Sequence, residues 1–196
     1  MCTAKVGRTV IILGSLVLAL VLNAGSALAQ QFEIHPYGGG FFPNSDFKKE
    51  GIYGIRGGVY IVEPFEADVN FGYINHFRFR DTADPGTRAY IWDVNGSYSF
   101  NGYNIKKAEP FVTVGVGGLT TGLHDADTRV VSPGVIPKDN DTFLQFTYGG
   151  GLKGVRLWGP VGLRADFRGR TLPNFYGSSL TWFEMTGGFN IIWGER

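Results

Sequence analysis

Along most of this chain polar and apolar side chains alternate one by one, and the alternation is sharpest over 161–171. Val161, Leu163, Ala165 and Phe167 fall on one side, while Gly162, Arg164, Asp166, Arg168 and Arg170 fall on the other. A period of two means an extended strand with side chains on opposite faces. Charges of both signs stand in line on the polar side, so that face must meet other polar groups while the opposite face meets apolar matter. The same rhythm predicts strands over 31–41, 51–61, 65–77, 90–100, 111–121, 143–155 and 180–193. In the third, Phe65, Ala67, Val69, Phe71, Tyr73 and Phe77 oppose Glu66, Asp68, Asn70, Gly72, Ile74 and His76. The strand over 111–121 alternates weakly, and the facing of Val112, Val114 and Val116 against Thr113, Gly115 and Gly117 is left open by the pattern. Pro36 in the first strand asks for a local bulge if both edges of that strand are paired.

Between the strands lie two kinds of connection. The stretches 42–50, 79–88, 122–141 and 172–179 are long or polar, with Asn, Asp, Pro and Gly throughout, whereas 62–64 and 157–160 are short. The connection at 101–110 is longer than its place among the short turns would suggest. Eight two-faced strands of about ten residues each are long enough to cross a bilayer at a tilt. With alternating long and short connections they predict an all-β fold, an eight-stranded antiparallel up-and-down transmembrane β-barrel, with lipid on the apolar face and a narrow polar lumen inside. The lumen is then lined by Glu33, Glu66, Asp68, Asp93, Asp166 and Glu184 against Arg56, Lys153, Arg164, Arg168 and Arg170. The signs nearly balance, as they must where an unpaired charge is costly, and the expected lumen is plugged by its own side chains. A register setting Arg168 opposite Glu184 also matches Phe167 with Met185, Leu163 with Phe189 and Val161 with Ile191, so Arg168 and Glu184 are expected to form an ion pair. Trp158 and Trp193 near one rim, with Trp92 and Trp182 near the other, read as a double girdle of membrane-interface aromatics.

Composition agrees with this picture. Thirty glycines disfavour helix, and aromatic residues at 15% favour strands and membrane interfaces. Residues 1–29 read as a cleaved signal peptide, leaving 30–196 as the barrel domain. Lys5 and Arg8 form a basic start, Val10 to Leu22 an apolar run, and Ala27-Leu28-Ala29 a small-residue cleavage site. That run is shorter than a membrane helix needs, and Cys2 lies too far from the cleavage site to be a lipid-anchored cysteine. The mature chain would hold no disulfide, so packing and hydrogen bonds must hold the fold. A net charge of +1 gives no electrostatic case for nucleic acid.

The chain resembles the outer-membrane β-barrel family related to the OmpA transmembrane domain. The resemblance rests on the alternating strands, the segment Pro110-Phe111-Val112-Thr113-Val114-Gly115-Val116-Gly117 and the aromatic-ended last strand, and it covers nearly all of 30–196. It implies a bacterial outer-membrane location, contact with membrane lipids and lipopolysaccharide, and insertion by the barrel-assembly machinery. Family members usually end on the terminal aromatic, whereas here Gly194-Glu195-Arg196 follows Trp193. A soluble lipocalin-like carrier would show the same alternation with its faces exchanged. The tryptophan placement, the glycines on the polar face and the lack of a helix after the last strand oppose it.

Little in the chain points to reaction chemistry. His35 and His76 fall on polar strand faces and are expected to be satisfied lumen residues. His124, Asp125 and Asp127 could approach a metal, but such loose spacing is common in solvated loops, and no metal or cofactor is expected. Gly115, Gly117 and Gly122 lack the strand-to-helix setting of a phosphate loop. A barrel that modifies lipid A is the enzymatic alternative, since Pro173-Asn174 vaguely resembles a deacylase segment. That enzyme family carries a His and a Ser on the lipid-facing surface of this strand, and this chain has neither there; a nucleophile needs an adjacent base. The expected role is therefore structural, or binding of an unidentified extracellular ligand through the loops.

Overall fold

In the computed structural model, residues 31–43, 47–77, 87–100, 108–123, 141–154 and 158–194 are described. They form eight strands: β1 (Gln31–Pro43), β2 (Glu50–Val62), β3 (Phe65–Phe77), β4 (Thr87–Ser99), β5 (Ala108–Leu123), β6 (Thr142–Gly154), β7 (Val161–Phe175) and β8 (Ser178–Gly194). Each pairs antiparallel with the next, and β8 pairs back onto β1 to close the barrel. The strands outrun the expected length, at 13 to 17 residues. His124, Asp125 and Asp127 and the proposed signal segment lie outside the described residues.

Alternation becomes facing as the pattern requires. On β7, Leu163 and Phe167 are exposed while Arg164, Asp166, Arg168 and Arg170 are buried. On β5 the open question is resolved: Val112, Val114 and Val116 point out, and Thr113 points in. The outward apolar residues form a belt with aromatic edges. One edge is the cross-strand row Tyr53, Tyr73 and Tyr90; the other carries Phe65 beside Tyr98 and Phe32 beside Trp193. From Tyr90 to Tyr98, at about 3.3 Å per residue and a strand tilt of about 40°, the belt is about 20 Å tall between ring-bearing rows. Adding the rings themselves approaches the ~25 Å apolar band of outer-membrane barrels.

Beyond the tyrosine row, toward the loop end, the pattern inverts. Outward positions become hydroxyls, with Thr120 bonded to Thr142 at 2.9 Å and Thr171 to Thr181 at 3.2 Å. The neighbouring inward positions become apolar: Ile52, Ile74, Leu119, Leu172, Leu180 and Trp182 are all buried. Phe47, from the connection between β1 and β2, caps this core, its ring tilted 4.6 Å from that of Phe77 and edge-on 5.9 Å from that of Phe175. The barrel thus has two storeys, one with lipid outside and charge inside, the other with hydroxyls outside and hydrocarbon inside.

Several sequence expectations change. Phe77 faces inward, because a register shift between Ile74 and Phe77 reverses the alternation there. His76, in the same irregular stretch, is half-buried rather than a lumen residue. The stretch 172–179 is no loop: β7 runs on to Phe175, and β8 starts at Ser178. Only Tyr176 and Gly177 connect them, both left-handed with φ of 49° and 85°, which suits the right-handed twist of a two-residue hairpin. No bulge forms at Pro36, and the β1–β8 register is the same on both sides of it. Pro36 still has no N–H for Phe189, its opposite number on β8. The His35 ring supplies the missing donor, with Nδ1 3.0 Å from the Phe189 carbonyl oxygen.

Candidate functional site in the barrel interior

Each of the eleven charges expected in the lumen is buried and inward, and together they form three linked clusters. At the turn end, Lys153 forms an ion pair with Glu33 at 3.3 Å and donates to Tyr60 at 3.3 Å and to Glu66. Arg164 Nη1 donates to Glu33 at 2.7 Å. Both cations also lie against the Phe111 ring, at 5.2 and 4.5 Å from its centroid.

Asp166 is the hub of the middle cluster. It accepts from Arg164 Nε at 3.2 Å and Arg168 Nη2 at 3.1 Å, forms an ion pair with Arg56 Nη1 at 2.9 Å, and has His35 Nε2 3.6 Å away. The arginines flank this acid because β7 places residues 164, 166 and 168 on one face in succession. Arg56 reaches it across the lumen from β2, its guanidinium lying 4.0 Å over the Tyr37 ring.

Toward the loop end, Arg170 makes a two-pronged pair with Glu184 at 2.9 and 3.1 Å, and also donates to Asp93 at 2.5 Å and Thr147 at 3.1 Å. Asn70 ties this cluster to the middle one, donating to Asp93 at 2.8 Å while accepting from Tyr37 at 2.9 Å and Arg56 at 3.2 Å. Asp68 accepts from Asn95 at 2.7 Å and Ser97 at 3.3 Å.

The expected register of the last hairpin is present, with Arg168 opposite Glu184 and Phe167 opposite Met185. The expected ion pair is not. Arg168 turns to Asp166, with Asp93 at 4.0 Å, and the partner of Glu184 is Arg170, two residues along the same face. Opposite Cα positions set neighbours, but a guanidinium at the end of a long stem reaches the next row, where it is bidentate. On β5 and β6, Gly115, Gly117, Gly149 and Gly151 take inward positions, and an added Cβ at Gly115 would meet the Asn95 side-chain oxygen at 2.0 Å.

Of the four tryptophans, Trp158 and Trp193 are outward, 65% and 47% exposed, and half-buried Trp92 donates to Thr120 at 3.4 Å. Trp182 is a correction: it is fully buried, 5.5 Å from Phe41 inside the upper storey. Its even position on β8 put it on the inward face all along, and the inversion of the pattern makes that face apolar there. Tyr60 and Glu109 are lumen residues that the sequence reading did not single out. Tyr60 follows the alternation of β2, and Glu109 precedes Pro110, ahead of the 111–121 strand the pattern predicts, whereas β5 begins at Ala108.

The comparisons agree with this architecture. The barrel domain of Pseudomonas aeruginosa OprF is 14% identical, with a TM-score of 0.57 over 84% of this chain and 98% of that one. Neisserial surface protein A is 12% identical, with a TM-score of 0.61 over 82% and 96%. OprG of Pseudomonas aeruginosa is 9% identical, with a TM-score of 0.58 over 86% and 98%. At such identities the likeness is one of fold. No curated protein matches the sequence significantly. Residues 15–181 match the family described as the outer membrane protein beta-barrel domain; the chain belongs to that family, and it is a bacterial outer-membrane barrel.

Proposed function

We propose that the protein is a non-enzymatic barrel with a closed lumen, serving as a structural element of the outer membrane and as the rigid base from which its loops meet the exterior. The observation that carries this reading is the filling of the interior. Buried charges satisfy one another through the membrane storey, and an aromatic stopper of Phe41, Phe47, Phe77 and Trp182 lies above them. An ion crossing this interior would have to break charge-assisted bonds in a confined space, where each is worth more than in water. Export through cleavage after Ala29, insertion by the barrel-assembly machinery, and contact with lipopolysaccharide and the other membrane lipids belong to the same reading.

Planar-bilayer recording of the purified protein tests it. Little or no steady conductance is expected, with an increase in Glu184→Ala. A large, steady conductance that is indifferent to Glu184→Ala would overturn it. Lipid A from cells expressing the protein should keep its mass, and a changed acyl pattern would establish an enzyme instead.

A further inference from the structure

The ladder between β6 and β7 stops early. It runs from Lys153 opposite Arg164 up to Phe146 opposite Thr171. Above that point β6 remains paired with β5 as far as Thr142, and β7 with β8 as far as Phe175. Thr142–Gln145 and Leu172–Phe175 therefore leave the barrel wall unbonded to each other at the loop end. The sequence supplies a cause: Pro173 has no N–H to give, and the register shift between Leu172 and Phe175 re-aims the strand.

Rings close the mouth in place of backbone bonds. Phe143 of β6 lies 4.8 Å from both Phe175 and Tyr176, and the Tyr176 hydroxyl donates to Asp141 at 3.5 Å. Side chains held by dispersion can part by changing rotamer, whereas a ladder cannot part without losing its hydrogen bonds.

Behind these rings is the apolar upper storey, and at its base, among the described residues, two buried polar atoms stand without a partner. The Gln145 side-chain oxygen and the Trp182 indole N–H are both unbonded, on residues with no solvent exposure. Buried polar atoms are almost always bonded. Gln145 belongs to the segment of β6 that is paired with β5 but not with β7, and Trp182 stands opposite Arg170, just inside the mouth. One atom accepts and the other donates, and a hydroxyl group can serve both.

We infer that the β6–β7 mouth admits a small apolar molecule bearing a hydroxyl group, which lodges against Leu119, Leu172 and Trp182. The hydroxyl donates to Gln145 and accepts from the Trp182 indole, and outward swings of Phe143 and Tyr176 make the room. The site adjoins the upper end of the charge network, where Gln145 donates to Thr147 at 3.3 Å and Thr147 accepts from Arg170 at 3.1 Å, and entry from the loop end needs no passage through that network.

The test uses the full protein in lipid, with Trp182 as its sole tryptophan through Trp92→Phe, Trp158→Phe and Trp193→Phe, and para-bromophenol as the probe, since its bromine quenches indole emission. Saturable quenching is expected. Gln145→Leu should raise Kd about tenfold, the loss of one good hydrogen bond, and Phe143→Ala should speed association severalfold in stopped flow. Strand content by circular dichroism shows that each variant is folded. A parallel protein keeping only Trp193 reports partition into lipid and should quench without saturation. The inference is overturned if Trp182 quenches like Trp193, or if neither Gln145→Leu nor Phe143→Ala alters a saturable signal.

Discussion

Replacing Arg170 with methionine removes the cation of the upper charge cluster while keeping most of its volume. Two carboxylates lose their strongest partner: Glu184 its two-pronged pair, and Asp93 a bond at 2.5 Å. Neither is left bare. Asp93 keeps Asn70 at 2.8 Å and Asn95 at 2.6 Å, and Glu184 keeps Arg56 at 3.6 Å. Breaking a buried pair from one side costs about 3–5 kcal/mol, and the surviving bonds place this case near 3. With a urea slope of about 2 kcal/mol per molar, the unfolding midpoint in lipid vesicles should fall by about 1.5 M. Arg170→Met combined with Glu184→Met should cost less than the two single changes added together, because the second removes a carboxylate that the first has stranded. A loss below about 1 kcal/mol for Arg170→Met would mean that water screens these charges as it does on a surface. Strict additivity of the two changes would say the same.

The role of His35 makes a second prediction. His35→Ala should destabilise by about 1–3 kcal/mol, because the Phe189 carbonyl loses its donor, and most of that loss should vanish in a Pro36→Ala background, where the backbone N–H is restored; urea titration of the four proteins decides it. Phe167, 52% exposed on the membrane belt, should tolerate leucine, while Phe167→Arg should cost about 2–4 kcal/mol of folding into vesicles; equal folding yields would contradict an outward Phe167. Intact-mass measurement of protein taken from outer membranes should give a chain beginning at Gln30, and retention of Lys5 and Arg8 would sink the cleavage reading.

The strand rhythm was legible because one physical rule governs it. Wherever lipid lay outside and charge inside, as from Val161 to Arg170, parity alone told which way a side chain faces. Parity also carried the register of the last hairpin, since a slip of one residue would have set Phe167 against Glu184. It did not reveal which arginine reaches which acid. That choice depends on the reach of the guanidinium stem and on acids such as Asp93 that stand on other strands, which a single strand does not encode. The upper storey escapes the rule for a different reason: Ile74, Leu172 and Trp182 face inward there and obey it with the sign reversed. A signal was present: the outward partners of those positions are Asn75, Thr171 and Thr181, which no lipid-facing surface would favour. The residues that close the β6–β7 mouth were hidden because 172–179 looked like a loop, and Pro173 ends a ladder without ending its strand.

The change of sign between the storeys also acts as a waterline. Raising the barrel in the bilayer would lift the tyrosine row and the valines of β5 into water, and lowering it would press the hydroxyl pairs of Thr120 with Thr142 and Thr171 with Thr181 into hydrocarbon. Both displacements are uphill, so the molecule floats at one depth and resists tilting about it. A bilayer thicker than the belt cannot be matched by sinking deeper; its lipids must thin to meet the wall. The protein thereby shapes the membrane immediately around it, and the rim bearing Phe143, Phe175 and Tyr176 is held at a fixed height above the lipid.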